Sequence, residues 1–277
     1  MGEINCPSDV SFLPDGSLVV CDRGNHRLQL FDKSGDAVKV IGENKMKPCR
    51  VHTGKNGQII VSDSKENQVC VYDKKGHCQS IVGKKLFKTV APFKAPCGVA
   101  SRTGKQFVVS DIERNDVAIY NSEGKIIKEL GKESGDCIEF KKPSYISTSQ
   151  DGSRIFVSDN LNHCVKVFNS QGKYLFQCIL GSNKGSNSDL EKDTNYLKYP
   201  NGVCSDSNGD IYVADWGSHT VSHFTRDGEF VRHVLTREDG IYHPAGIAVL
   251  EDQLAVCSYS DSHSSVQVFR LSAVGSS

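Results

Sequence analysis

One pattern of residues returns six times along the chain, and this periodicity restricts the available folds more than any other feature. A β-rich run ending in aspartate appears as Leu18-Val-Val-Cys-Asp22, Ile60-Val-Ser-Asp63, Val108-Val-Ser-Asp111, Phe156-Val-Ser-Asp159 and Tyr212-Val-Ala-Asp215. Nine residues after each Asp stands an aromatic (Phe31, Tyr72, Tyr120, Phe168, Phe224), and four residues later a glycine (Gly35, Gly76, Gly124, Gly172, Gly228). A proline precedes each unit: Pro7, Pro48, Pro96, Pro143 and Pro200. A sixth, degraded copy carries Pro244, Leu254-Ala-Val-Cys-Ser258 and Phe269, with Ser258 in the aspartate position. The intervals from Asp to Asp, ending at Ser258, are 41, 48, 48, 56 and 43 residues.

Within each unit a short apolar run follows the proline, then a turn such as Asn56-Gly57, Asp151-Gly152 or Asn208-Gly209. The run ending in Asp comes next, followed by a short loop, an alternating run such as Val165-Lys-Val-Phe168, a glycine turn and one more strand. Asn-Gly and Asp-Gly between alternating runs mark hairpins, because glycine takes positive φ at little cost. Four antiparallel strands repeating at about 40 to 50 residues describe a propeller blade, and no segment sustains a helical period. The expectation is an all-β, six-bladed β-propeller filling residues 1–277 as one domain, with repeats near 6–46, 47–94, 95–141, 142–198, 199–242 and 243–272. The last repeat supplies three strands, so a fourth must come from elsewhere. With five residues before Cys6-Pro7, the chain reads as excised from a longer protein.

Composition narrows the function classes. Lys+Arg and Asp+Glu are equal at 33 each, which argues against disorder and against a molecule basic all over. No apolar run reaches the roughly 18 to 20 residues of a spanning helix, and the start lacks the regions of a signal peptide. Eleven cysteines show no C-x-x-C spacing. They read as reduced thiols in strands of an intracellular, cytoplasmic protein rather than a disulfide scaffold or zinc module. No metal and no cofactor is expected.

Asn25-His26-Arg27-Leu28 and Asn162-His163-Cys164-Val165 resemble the Asn-His-Leu signature of the NHL repeat, and the resemblance extends over essentially the whole chain. Ser158-Asp-Asn-Leu-Asn-His-Cys-Val-Lys-Val-Phe-Asn169, Tyr199-Pro-Asn-Gly-Val203 and Gln267-Val-Phe-Arg-Leu-Ser-Ala-Val-Gly275 are similar to the NHL domains of tripartite-motif proteins, the Brat-like RNA-binding subgroup above all. Only His26, His163 and His219 fill the signature's histidine position; Asn67 and Asn115 occupy it elsewhere. The resemblance implies contact with uridine-rich single-stranded RNA in mRNA 3′ untranslated regions, and translational or other post-transcriptional repression. A ubiquitin-ligase module in the parent protein would also fit it.

The five aspartates and three histidines recur in equivalent places, which marks them as builders of the blade rather than catalytic groups. No G-x-S-x-G, phosphate-cradling glycine loop or H-E-x-x-H is present, so no enzyme is expected; an amidating lyase is the enzymatic alternative. The loops after each Asp and before each proline carry, in blades one to three, Arg23, Arg27, Lys45, Lys47, Arg50, Lys65, Lys84, Lys85, Lys88, Lys94 and Arg114. Against these stand only Glu43, Glu66, Glu113 and Asp116, the turn-building aspartates aside. Lys84 to Lys94 interleaves four lysines with Phe87 and Phe93, a pattern suited to phosphates and stacked bases. Two residues after a proline, Arg50 and Tyr145 would point into the channel mouth, and Ser144 and Asn201 would lie beside them. Arg50, Tyr145, Ser144 and Asn201 are the expected base readers; the loop cations, with Phe93, would hold the backbone and stack. The expected form is a monomer away from membranes, contacting RNA and protein effectors of repression. The competing expectation is a propeller that presents protein partners to a ubiquitin ligase.

Overall fold

The computed structural model describes residues 3–82, 93–102, 106–133, 136–181, 196–260 and 263–271. Blade one is formed by β1 (Pro7–Phe12), β2 (Leu18–Asp22), β3 (Arg27–Phe31) and β4 (Ala37–Ile41), and blade two by β5 (Pro48–Thr53), β6 (Ile59–Asp63), β7 (Gln68–Tyr72) and β8 (Cys78–Val82). Blade three comprises β9 (Pro96–Arg102), β10 (Gln106–Asp111), β11 (Asp116–Tyr120) and β12 (Ile126–Glu129). A short hairpin, β13 (Lys132–Glu133) with β14 (Asp136–Cys137), leads into blade four: β15 (Pro143–Thr148), β16 (Arg154–Asp159), β17 (Cys164–Asn169) and β18 (Tyr174–Cys178). Blade five has β19 (Pro200–Ser205), β20 (Ile211–Asp215), β21 (Thr220–Phe224) and β22 (Phe230–Leu235); blade six has β23 (Ile247–Leu250), β24 (Gln253–Ser260) and β25 (His263–Arg270). Blades one to five are antiparallel meanders of four strands, and the described part of blade six has three. The six-bladed propeller expected from the repeat is the observed fold.

The core lies between the blades. Val19, Leu28 and Ile41 of blade one pack with Ile59, Val61 and Tyr72 of blade two, and equivalent layers join the following pairs. Val10, Phe12, Leu18 and Val20 pack on Ala255 and Cys257, so apolar contact between the first and last blades closes the ring. Alternation along each strand produces this arrangement, since both faces of a blade meet a neighbour and only strand ends and outer strands stay wet.

The recurring residues owe their positions to backbone geometry. His26, His163 and His219 have φ of 55°, 57° and 59°, and Asn67 and Asn115 have 51° and 53°. The signature position is therefore a left-handed residue closing the tight loop after Asp. Asparagine and histidine are among the side chains that tolerate it best, which explains why they interchange here.

Each aspartate binds the loop that enters its own blade. Asp22 Oδ1 accepts from the Asn5 amide, Asp63 Oδ1 from Lys47, Asp111 Oδ2 from Lys94, Asp159 Oδ1 from Lys141 and Asp215 Oδ2 from Lys198, at 2.6 to 2.9 Å. Asp63, Asp111 and Asp215 also accept amides that follow them in the chain. Buried carboxylates satisfied by several amides add to the backbone bonds that pin each entry loop to the turn after Asp. Ser258 has no carboxylate to offer and pairs its hydroxyl with Ser265 at 3.0 Å.

Candidate functional site

Strand pairing fixes which loops share a face. Pro7 lies opposite Asp22 and Asp22 opposite Arg27, while Leu28 pairs with Ile41 at the exit of the blade. The loop after each Asp and the loop before each proline therefore emerge together, and the same register recurs in the other blades with an Asp.

At the centre of that face the structure gathers the four residues expected to read bases, but turns them inward. Arg50 is 7% exposed. Its Nη1 donates to the carbonyls of Ser8 (2.9 Å) and Cys49 (3.0 Å), its Nε to the Ser144 carbonyl (3.3 Å) and its Nη2 to Asn201 Oδ1 (2.5 Å). The guanidinium also lies 5.3 Å from the Tyr145 ring centroid. Tyr145 is itself buried and donates its hydroxyl to Asp9 Oδ1 at 2.8 Å. Ser144 contributes its carbonyl oxygen. Asp9 Oδ2 accepts the Val51 amide. These groups bridge blades one, two, four and five. Burial pushes the Asp9 carboxyl up to about 7, against the pull of Arg50 and its hydrogen bonds.

The remaining blades have glycine where these large side chains stand. A Cβ on Gly98 would meet the Ile146 nitrogen at 2.7 Å, and one on Gly246 would meet Asp9 Oδ1 at 2.1 Å. Three large polar side chains thus occupy the centre only because glycines let the neighbouring strands close around them. Arg50 and Tyr145 converge at the axis as expected, but the expectation that they present free polar atoms there is corrected, because those atoms are buried and already bonded to Ser8, Cys49, Ser144, Asn201 and Asp9.

The loop cations divide into two groups. Arg27 is buried, with Nε 2.7 Å from Asp22 Oδ2, and so acts as an internal ion pair instead of a phosphate ligand. Arg114 stands 3.9 Å from Asp111 and keeps about a quarter of its side chain exposed. Arg23 is half-buried, with Nη1 3.5 Å from Cys49 Sγ. Lys45, Lys47, Lys65 and Lys94 are exposed. Lys84, Lys85 and Lys88 lie outside the described residues. Phe93 is 2% exposed and packs on Tyr120 at 5.0 Å, so its ring belongs to the core and is not presented for stacking. Lys47, Lys94, Lys141 and Lys198 occupy equivalent places: each gives its amide to the blade's Asp and leaves an exposed side chain on the face.

Across blades four to six the same loops carry a continuous chain of rings that the sequence reading did not assemble. Tyr196 meets His163 at 5.1 Å, His163 meets Tyr199 at 6.2 Å, and Tyr199 meets Trp216 at 6.1 Å. Trp216 lies 4.2 Å from His243, His243 4.0 Å from His219, and His219 6.4 Å from Tyr242. Tyr196, Tyr199 and Tyr242 are 38%, 43% and 43% exposed.

Backbone groups hold the imidazoles in place. His163 Nδ1 donates to the Lys198 carbonyl at 2.7 Å and His243 Nδ1 to the Trp216 carbonyl at 3.1 Å. His219 Nδ1 accepts the His243 amide at 3.0 Å. Burial, with His243 beside it, lowers the His219 pKa from its ordinary value. The signal for this chain was present in sequence as aromatics before the prolines, in Tyr199-Pro200 and Tyr242-His243-Pro244, and only the fold aligns them with the residues after Asp.

Among the described residues no group of three or more His, Cys, Asp or Glu is placed to hold a metal, and no helix is long and apolar enough to cross a membrane. Comparison with solved structures finds the same architecture in virginiamycin B lyase from Staphylococcus aureus (12% identity, TM-score 0.61, covering 97% of this chain and 85% of that one). A gluconolactonase from Xanthomonas campestris (13%, 0.68, 92% and 84%) and a chain of a nidogen/laminin complex (15%, 0.65, 88% and 85%) also match. At these identities the likeness is one of fold. No curated protein matches the sequence. The family model described as NHL repeat matches residues 5–31 and 197–224. These spans run through the Asp loops of blades one and five, and such repeats in a ring of six blades fit an NHL-repeat domain.

Proposed function

We propose that this propeller is a binding scaffold whose loop face takes single-stranded RNA rich in uridine, bringing a parent protein to cytoplasmic messenger RNAs for repression. One observation carries the reading: a chain of seven aromatic and imidazole rings, open at three tyrosines, shares its face with the exposed lysines of blades two to five. Rings offer stacking to every base and lysines offer charge to phosphates, a combination fitted to an unpaired strand. A duplex hides its base faces and gives the rings nothing to stack on.

The buried Arg50–Tyr145–Asp9 network reshapes the sequence expectation. It makes the centre of the face rigid and leaves contact to Tyr196, Tyr199, Tyr242, Trp216 and the lysines around it. In this reading the chain binds and does not catalyse. Fluorescence anisotropy with labelled U-rich, A-rich and C-rich decamers and an RNA duplex tests it, wild type against Tyr199→Ala. Binding of the U-rich strand above the others and above the duplex, weakened by the substitution, supports the reading. Equal weak binding to every probe overturns it and leaves protein partners as the occupants of the face.

A further inference from the structure

Beneath the loop face, beside Arg50, two sulfurs meet that no blade-building role requires. Cys49 and Cys97 follow Pro48 and Pro96 directly, at equivalent positions of β5 and β9 in adjacent blades. Their Sγ atoms are 3.0 Å apart. A disulfide needs about 2.05 Å, so bonding requires an approach of about 1 Å between first strands already packed side by side. Equivalent positions in the other blades hold Ser8, Ser144, Asn201 and Ala245, so the pair occurs at one junction of the ring.

We propose that Cys49 and Cys97 form a reactive thiol pair that a hydroperoxide converts to a disulfide linking blades two and three, and that a dithiol reduces again. The surroundings favour Cys49 as the attacking sulfur. The Cys97 thiol donates toward it, and the Arg50 and Arg23 guanidiniums lie close, so the Cys49 thiol is held well below the ordinary thiol range despite burial. Thiolates beside cations are the nucleophilic form of cysteine. Each residue keeps 5% of its surface open, and the half-buried Arg23 side chain reaches Cys49 Sγ with its Nη1.

The Cys49 thiolate attacks one peroxide oxygen. The O–O bond breaks, an S–O bond forms, and the departing oxyanion (hydroxide when the oxidant is hydrogen peroxide) takes up the proton that Cys49 released on ionising, leaving a sulfenic acid. The Cys97 sulfur then attacks the sulfenyl sulfur. The S–S bond forms, the S–O bond breaks, and hydroxide leaves with the Cys97 proton as water. Two thiols lose two electrons and the peroxide gains them. The Ser144 carbonyl, 3.2 Å from Cys97 Sγ, accepts from Arg50 Nε whichever way the Cys97 thiol points, so oxidation strands no buried acceptor.

The proposal does not depend on the RNA reading. The full chain, treated with hydrogen peroxide and then alkylated under denaturing conditions, is to be analysed by thiol count and peptide mass spectrometry. The expected result is a fall from eleven titratable thiols to nine, a peptide linking Cys49 to Cys97, a higher melting temperature, and return to the starting state with dithiothreitol. Cys97→Ser should abolish the linked peptide and leave Cys49 as a sulfenic or sulfinic acid. The proposal fails if the folded wild-type chain forms no such peptide, links either residue to another cysteine, or loses two thiols just as readily in Cys97→Ser. The mapping on wild-type protein decides the matter even where the variant folds poorly.

Discussion

The Tyr145 hydroxyl and the Asp9 carboxylate lie 136 residues apart in sequence and 2.8 Å apart across the propeller axis, joining the first strands of blades four and one. The bond closes a network to which Arg50 supplies a cation, and the Asp9 carboxyl is fully buried. An unfolded carboxyl titrates near 3.8, and burial raises Asp9 to about 7 in the fold. Between these values the folded chain binds the proton more tightly than the unfolded one. The stabilisation this gives is complete below about pH 4 and is lost as pH rises through 7.

Replacing Asp9 by Asn removes that titration. Urea denaturation at pH 5 and pH 8 should show the variant's deficit against wild type shrinking as pH rises, by at most about 1.4 kcal/mol per unit within the window. An equal deficit at both values would mean that Asp9 keeps its ordinary pKa.

Arg50 donates to three carbonyls and one amide oxygen contributed by residues of four blades. Arg50→Ala takes a donor from each of those acceptors, leaving the Cys49 carbonyl to Ser8 Oγ and the Ser144 carbonyl to Cys97 Sγ, and leaves Asp9 without its counter-charge. The expected loss is about 3 to 5 kcal/mol of folding stability, seen as an early thermal transition. Arg50→Lys should fall between the two, because one ammonium cannot span the acceptors of a guanidinium fork. If Arg50→Ala instead folds as well as wild type and loses only RNA binding, the side chain reads bases after all.

How far the sequence exposed these features depends on the range of the interaction involved. The blades were legible because their signals are local: a glycine at a turn, a period of two, an aspartate before a tight loop. The gathering of Arg50, Ser144, Tyr145 and Asn201 was also legible, since equivalent positions after the prolines must converge at an axis. The direction of the side chains was not. It depends on Gly98 and Gly246 making room and on Asp9 arriving from blade one as a partner. Phe93 misled for a similar reason, because a phenylalanine in a lysine-rich loop looks exposed until Tyr120 of the next blade covers it. The ring chain stayed hidden because its members come from separate loops and meet only in the closed ring.

The left-handed conformation of His26 gives a test of the signature itself. At φ near 55° a β-branched side chain crowds its own backbone, whereas asparagine already serves at Asn67 and Asn115. His26→Asn should leave stability within about 0.5 kcal/mol of wild type, and His26→Val should cost roughly 1 to 2 kcal/mol. Chemical denaturation of the two variants side by side measures the difference; similar losses for both would assign the role to the imidazole and not to the backbone.

Lys47, Lys94 and Lys198 present charge from loops that Asp63, Asp111 and Asp215 hold by the backbone. Replacing all three with Gln should leave the melting temperature nearly unchanged, since the anchoring amides remain. If the side chains neutralise phosphates, the slope of log affinity against log salt should become shallower by about 2, at roughly 0.7 per contact on a single strand. An unchanged slope would place the strand elsewhere on the molecule.

Tyr199 is the joint of the ring chain, touching both His163 and Trp216 while remaining open to solvent. Tyr199→Ala should weaken U-rich RNA by about 1 to 3 kcal/mol, the value of one stacked base, with the salt slope preserved because no charge is lost. Tyr199→Phe should retain most of the affinity, since stacking needs the ring and not the hydroxyl. The pair separates stacking from a general disturbance of the loop. A loss shared equally by Tyr199→Phe would point to hydrogen bonding by the phenol, and unchanged affinity in both variants would remove the ring chain from the binding surface.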